Sequence, residues 1–135
     1  MSKIKDIFNQ LSKPLLTMAT KVSVDMVDKA EDELGVTFGP EMREYLTTYG
    51  SVSYESVELY GLGFSSGYYL NIVAATKELR DMGLPQGYFP IYNIGDGVYA
   101  VVTSNDEVYQ WSYNKKQADP LVARTLFDYF KTLFQ

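Results

Sequence analysis

The sequence predicts an α+β domain: a mostly antiparallel twisted sheet with a C-terminal three-strand meander, flanked by N-terminal, middle and C-terminal helices. Three observations carry this reading. Apolar residues recur at helical spacing up to Gly50. From Ser51 the period shortens. Residues 88–113 then hold three β-type runs separated by tight-turn residues.

Ile4, Ile7, Phe8 and Leu11 fall at i, i+3, i+4, i+7 and make one apolar face of a short first helix. Pro14 ends it, and a linker runs to about Val22. Ser23 can cap a second helix, with Asp25 and Asp28 near its positive N-terminal end. Val24, Val27, Ala30 and Leu34 form its buried stripe, and Gly35 stops it. Asp25, Asp28, Glu31 and Asp32 lie off that stripe, facing water. Pro40 occupies the first position of a third helix. Met42, Tyr45, Leu46 and Tyr49 make its inner face, Glu41, Arg43 and Glu44 lie outside, and Gly50 ends it. Tyr54, Val57, Leu59 and Tyr60 suggest a strand closing at Gly61, and the glycines and serines of residues 61–67 read as loops. Ile72, Ala75, Thr76 and Leu79 predict a fourth helix, closed by Gly83 and Pro85. The meander runs Tyr88 to Ile94, Val98 to Thr103 and Glu107 to Tyr113. Gly95-Asp96-Gly97 and Asn105-Asp106 are its turns. Pro120 opens a last helix whose Val122, Leu126, Phe127, Phe130, Leu133 and Phe134 cover the sheet. The expected organisation is an N-terminal helix and linker over 1–22 and a domain over 23–135, forming a single globular domain overall.

Composition narrows the chemistry. The 135 residues include neither cysteine nor histidine. Disulfides and thiolate metal sites are thereby excluded, and so are the commonest general base and transition-metal ligand. The charged N-terminus lacks a following apolar stretch and does not read as a signal peptide. No run approaches the about 20 apolar residues of a membrane span. The expected compartment is the cytoplasm. Net charge is −5. Residues 1–21 carry four lysines against Asp6, a balance of +3, which leaves −8 for the remainder. An acidic body repels phosphates and argues against direct nucleic-acid binding. It suits a basic protein partner, although acidity also serves solubility alone. The 12 tyrosines suit an interface or half-buried strands equally well.

Catalytic patterns are absent. Gly61-x-Gly63-x-x-x-Gly67 lacks the spacing and the helix start of a dinucleotide loop. Ser112-x-x-Lys115 lies at a strand end, not on the first turn of a helix as a serine acyl enzyme requires. The pairs Asp25/Asp28, Glu41/Glu44 and Glu55/Glu58 belong to outward faces, whereas an acid/base dyad converges in a shielded cleft. Gly95-Asp96-Gly97 supplies one carboxylate, too few for calcium. The chain reads as a non-enzyme with no cofactor, no metal and no small-molecule substrate.

Residues 33–50, from Glu33-Leu34-Gly35 through Phe38-Gly39-Pro40 and Tyr45-Leu46 to Tyr49-Gly50, resemble the N-terminal signature of the SUKH superfamily, the Smi/Knr-like proteins. Further resemblance follows in order: Val57 to Leu62, Leu79-Arg80, Gly83-Leu84-Pro85, Tyr88 to Ile91 with the Gly95-Asp96-Gly97 turn, Glu107-Val108-Tyr109-Gln110-Trp111, and Phe127 to Phe134. It covers about residues 23–134. Two positions depart from the pattern. Gly39 stands where leucine is usual, and Tyr49 replaces asparagine before Gly50.

The resemblance implies a bacterial immunity protein, an antitoxin that neutralises a cognate polymorphic toxin by protein–protein interaction. The expected toxin is basic, with a nuclease domain as its class. The alternative is a regulatory interaction scaffold of the Smi/Knr type with an endogenous partner. Candidate partner contacts are Asp28, Glu31, Asp32, Tyr54, Glu55, Glu58, Tyr68 and Tyr69, which supply carboxylates and the ring type that dominates binding energy.

Overall fold

A computed structural model describes residues 3–13, 16, 21–65, 67–113, 115 and 117–134. The helices are α1 (Lys3–Asn9), α2 (Val24–Leu34), α3 (Pro40–Tyr49), α4 (Ile72–Asp81) and α5 (Leu126–Phe134). A two-stranded hairpin pairs β1 (Ser53–Tyr54) with β2 (Val57–Glu58). A four-stranded antiparallel sheet runs in the order β3 (Phe89–Gly95), β4 (Val98–Val102), β5 (Val108–Ser112), β6 (Leu121–Ala123). The architecture is α+β, as its sequence pattern predicts.

Local chemistry sets the helix ends. The Ser23 hydroxyl accepts the Met26 N–H, and Gly35 closes α2 with φ +66°. Pro40 occupies the first turn of α3, and Gly50 ends that helix. Alternation on β4 divides the interior. Ala100 and Val102 join the main core, with Tyr45 and Leu46 of α3, Phe130 of α5 and Phe8 of α1. Val101 turns to the other face, against Trp111, Leu79 and Leu84. The sheet is therefore covered on both sides. The Trp111 indole N–H donates to the Lys115 carbonyl at 3.1 Å, so the ring is buried with its polar atom satisfied.

The first helix shares this core. Ile4 and Phe8 are buried, and Phe8 meets Tyr49 edge-on at 5.0 Å and Phe134 at 5.3 Å. The expected helix stop at Pro14 lies outside the described residues.

Five expectations need correction. The meander has four strands, not three. Pro120 opens β6 rather than a helix, because pairing with β5 begins ahead of it: Gln110 N–H donates to the Pro120 carbonyl and Asp119 N–H to the Gln110 carbonyl. Val122 is consequently an exposed strand residue, and α5 starts after Thr125, whose hydroxyl accepts the Asp128 N–H. The expected strand through Tyr54 and Tyr60 is a tight hairpin, with Glu55 at φ 54° making the turn. Val24 is exposed at the first position of α2, leaving Val27, Ala30 and Leu34 in the core. Finally, Glu31 and Glu41 do not face water freely. Glu31 accepts the Phe38 N–H at 2.7 Å, and Glu41 accepts the Phe127 N–H at 2.8 Å.

Candidate functional site

Between Gly61 and Asn71 the chain makes a loop braced by three internal main-chain bonds. Gly61 N–H donates to the Leu70 carbonyl, Tyr68 N–H to Ser65, and Asn71 N–H to Tyr68. Asn71, only 8% exposed, anchors the loop to α4. Its carbonyl oxygen accepts the N–H groups of Val73 and Ala74 at 2.9 and 3.2 Å, and its amide donates to the Ser65 carbonyl. Removing it leaves helix N–H groups uncapped, a loss of about 1 kcal/mol in typical caps. We therefore expect Asn71→Ala to lower the unfolding free energy by that amount, read as a lower denaturant midpoint at an unchanged slope of the unfolding curve.

This loop displays an aromatic platform. The ring of Phe64 stacks on Tyr68 at 4.6 Å, and Tyr68 meets Tyr69 at 4.8 Å. Tyr69 is 60% exposed, and its hydroxyl donates to the Glu58 carboxylate at 2.6 Å. That bond ties the loop to β2. It also holds the Tyr69 phenol above its ordinary pKa range, because Glu58 accepts the phenolic proton. Glu55 lies exposed at the tip of the same hairpin. From Tyr45 to Thr76 the only charged residues are Glu55 and Glu58. The platform segment thus offers rings and carboxylates and contributes no cation.

The other candidate residues lie elsewhere. Asp28 and Glu31 of α2 grip Arg43 of α3, with N–O distances of 2.8 and 2.9 Å. The Asp28 bond, and then Glu31, hold the guanidinium above its usual pKa against the cost of burial. Both Glu31 oxygens are engaged inside the fold, so this carboxylate primarily ties α2 to α3. Asp32 is exposed on the same helix. Tyr54 is half-buried. Its ring meets Phe134 edge-on at 5.7 Å, and its hydroxyl accepts the Lys13 N–H. It lines a cleft of about 500 Å³ beside Ile7 and Leu11 and the α5 residues Phe127 and Phe134. The structure accordingly brings Glu58, Tyr68 and Tyr69 together and joins Asp28 to Glu31. Tyr54 is directed into a different cleft.

Sequence reasoning missed Phe64, although an aromatic between glycines in an exposed loop was a usable signal. It also missed Asp106 as a buried group. Its carboxylate accepts the N–H groups of Glu41 and Met42, both at 3.0 Å, and so caps α3 from the β4–β5 turn. Among the described residues, no group of three or more carboxylate, cysteine or histidine side chains converges as a metal site. None of their helices is long and apolar enough to cross a membrane.

With this geometry described, comparison with known proteins places the chain. Its fold matches a crystal structure of a protein from Pseudomonas syringae pv. tomato, with a TM-score of 0.78 at 17% identity, covering 98% of this chain and 96% of that one. At that identity the likeness concerns the fold alone. No curated protein matches the chain significantly. The family described as SUKH_5, SMI1-KNR4 cell-wall, matches residues 3–135, taking in α1 as well as the region of the sequence resemblance. On that near-complete match, the chain belongs to the SMI1-KNR4 (SUKH) family.

Proposed function

We propose that this protein is a cytoplasmic immunity protein that binds and neutralises a cognate basic toxin, with a nuclease domain as the toxin class. The observation that supports this most directly is the platform. An exposed tyrosine, held by a carboxylate and backed by two further rings, lies in a chain segment without a cation. Rings positioned in this way offer large contact area at low entropic cost. Exposed carboxylates steer a basic partner toward them. An acidic face that occupies a basic nuclease's substrate-binding surface would block phosphate entry.

Within the candidate surface the residues take different roles. Tyr68 and Tyr69 are the energetic anchors, with Glu55 and Glu58 beside them. Asp28 and Asp32 steer from α2. Replacing Glu31 acts mainly on stability, since its oxygens serve Arg43 and Phe38. Tyr54 contributes only if the partner reaches the α1–α5 cleft. With the cognate toxin in surface plasmon resonance, Tyr69→Ala is expected to raise the off-rate by at least tenfold. Glu55→Ala and Asp32→Ala should instead lower the on-rate and flatten its salt dependence. If variants at all eight candidate positions still protected toxin-expressing cells, the surface assignment would fail. The regulatory-scaffold reading predicts an endogenous partner and no protection in that assay.

A further inference from the structure

The platform does not end at Phe64. The same ring lines a groove of about 420 Å³ between α2 and α4, whose apolar lining includes Met26, Ala30, Leu62, Val73 and Ala74. Its charged lining is Lys29, Glu33 and Lys77. Glu33 is paired with Lys77 at 2.5 Å, and these bonds hold the Glu33 carboxyl below its usual range. That charge is consumed within the rim, whereas the platform at the other side of Phe64 carries Glu58 on an exposed tyrosine.

We propose that the groove and the platform form one two-part docking site for an extended segment of a basic protein partner. A lysine or arginine of that segment lies over Tyr69 against Glu58, and a large apolar side chain of the same segment enters the groove beside Phe64. This rests on the chain being a protein-binding module, and it does not depend on the partner being a toxin.

Charge complementarity selects the occupant. A cation over Tyr69 gains both the ring face and the carboxylate. With Glu33 already paired to Lys77, a second cation in the groove would meet the remaining positive charge of Lys29, so the groove half favours an apolar residue. Main-chain bonds from Gly61 to Leu70, Tyr68 to Ser65 and Asn71 to Tyr68 set the shape of the loop, and the Asn71 amide holds the Ser65 carbonyl. Recognition in this site runs through side chains held in place before binding. Asn71 fixes the loop, Glu58 fixes Tyr69, and Phe64 serves both halves. Such pre-organisation reduces the ordering cost of association.

The test is selection of a random 12-residue phage-displayed peptide library on the full chain, followed by fluorescence anisotropy with the selected peptides made synthetically. The expected peptides carry Lys or Arg within a few residues of Trp, Leu or Phe. Their affinity should fall ten- to a hundredfold in Tyr69→Ala. A similar loss is expected in Ala74→Trp, which fills the groove from a half-buried helix position outside the core. Ala74→Arg gives a second readout of the groove should the tryptophan variant melt early. Glu58→Lys should reverse the preference to acidic peptides. Selection of no peptide, of peptides without a basic residue, or of peptides indifferent to Tyr69→Ala and both Ala74 variants would overturn the proposal. Such a failure would leave toxin neutralisation to be decided by the protection assay, so the two readings fail separately.

Discussion

Gly61→Ala is expected to cost more than about 3 kcal/mol and to lower the melting temperature by roughly ten degrees or more. A Cβ at Gly61 would lie 1.8 Å from the Gly50 carbonyl oxygen and 2.8 Å from its carbon. The obstacle is backbone, not a side chain that can swing away. Gly50 is itself held. It closes α3, with its N–H donating to the Leu46 carbonyl, while its own carbonyl accepts the Leu62 N–H at 2.9 Å. Gly61 is equally committed, through Leu70 on one side and Ile72 on the other. Relief therefore requires breaking either the end of α3 or the base of the aromatic loop. Differential scanning calorimetry decides the matter. A variant melting within about three degrees of the parent would show that the crossing is not tight.

The second large effect is Asp106→Ala, expected to cost about 3 kcal/mol in urea unfolding. Asp106 is 4% exposed and serves two N–H groups of α3, whose own N-cap, Gly39, has no side chain to offer. Deleting it strands one buried donor, the Met42 N–H, and one partly buried donor, the Glu41 N–H; a buried donor left unpaired costs about 1–3 kcal/mol. Gly39 and Asp106 are coupled. A Cβ at Gly39 would lie 2.5 Å from Asp106 Cγ and from both carboxylate oxygens. Gly39→Ala alone should therefore be destabilising, yet nearly harmless once Asp106 is alanine. The double-mutant cycle should return a coupling of about 2 kcal/mol, whereas additivity would refute the close approach of Gly39 to the Asp106 carboxylate.

Asp106 and its neighbour Glu41 set a pH trend. Burial, the leading cause for each, raises the Asp106 and Glu41 carboxyls above their usual range, against the N–H groups that pull them down. The fold then binds these protons more tightly than the unfolded chain. Their contribution to stability is full below about pH 4 and declines as pH rises through the raised folded values. Asp106→Asn should shallow that decline while retaining one acceptor oxygen, which urea unfolding across pH 4–7 would measure. An unchanged slope would rule out Asp106 as its source.

Legibility followed the range of the interactions. Ser23, Gly35, Pro40 and Gly50 act on their own helix ends, so those boundaries were readable from neighbouring residues. Leu121-Val122-Ala123 after Pro120 is apolar in either conformation. Only its register against β5, with Leu121 opposite Tyr109, makes it a strand. Glu55 gives no local sign of its positive φ. Asp106 looked like an ordinary turn residue because the N–H groups it serves are 64 and 65 residues away. The departure at Gly39, unexplained by pattern, becomes intelligible once that carboxylate is seen occupying the space of a side chain. Among the candidate contacts, residue type and exposure were readable for Glu58 and Tyr69. The bond between them was not, nor the Arg43 grip on Asp28 and Glu31, because partners 11 to 15 residues apart on different elements leave no periodic trace.

The most direct test is co-expression of the tagged protein with the product of the adjacent open reading frame. The account predicts a stoichiometric complex that elutes intact, silences that product's toxicity, and is weakened by Tyr69→Ala. Separate elution with no protection of the cells would contradict it and would favour a regulatory scaffold with an endogenous partner.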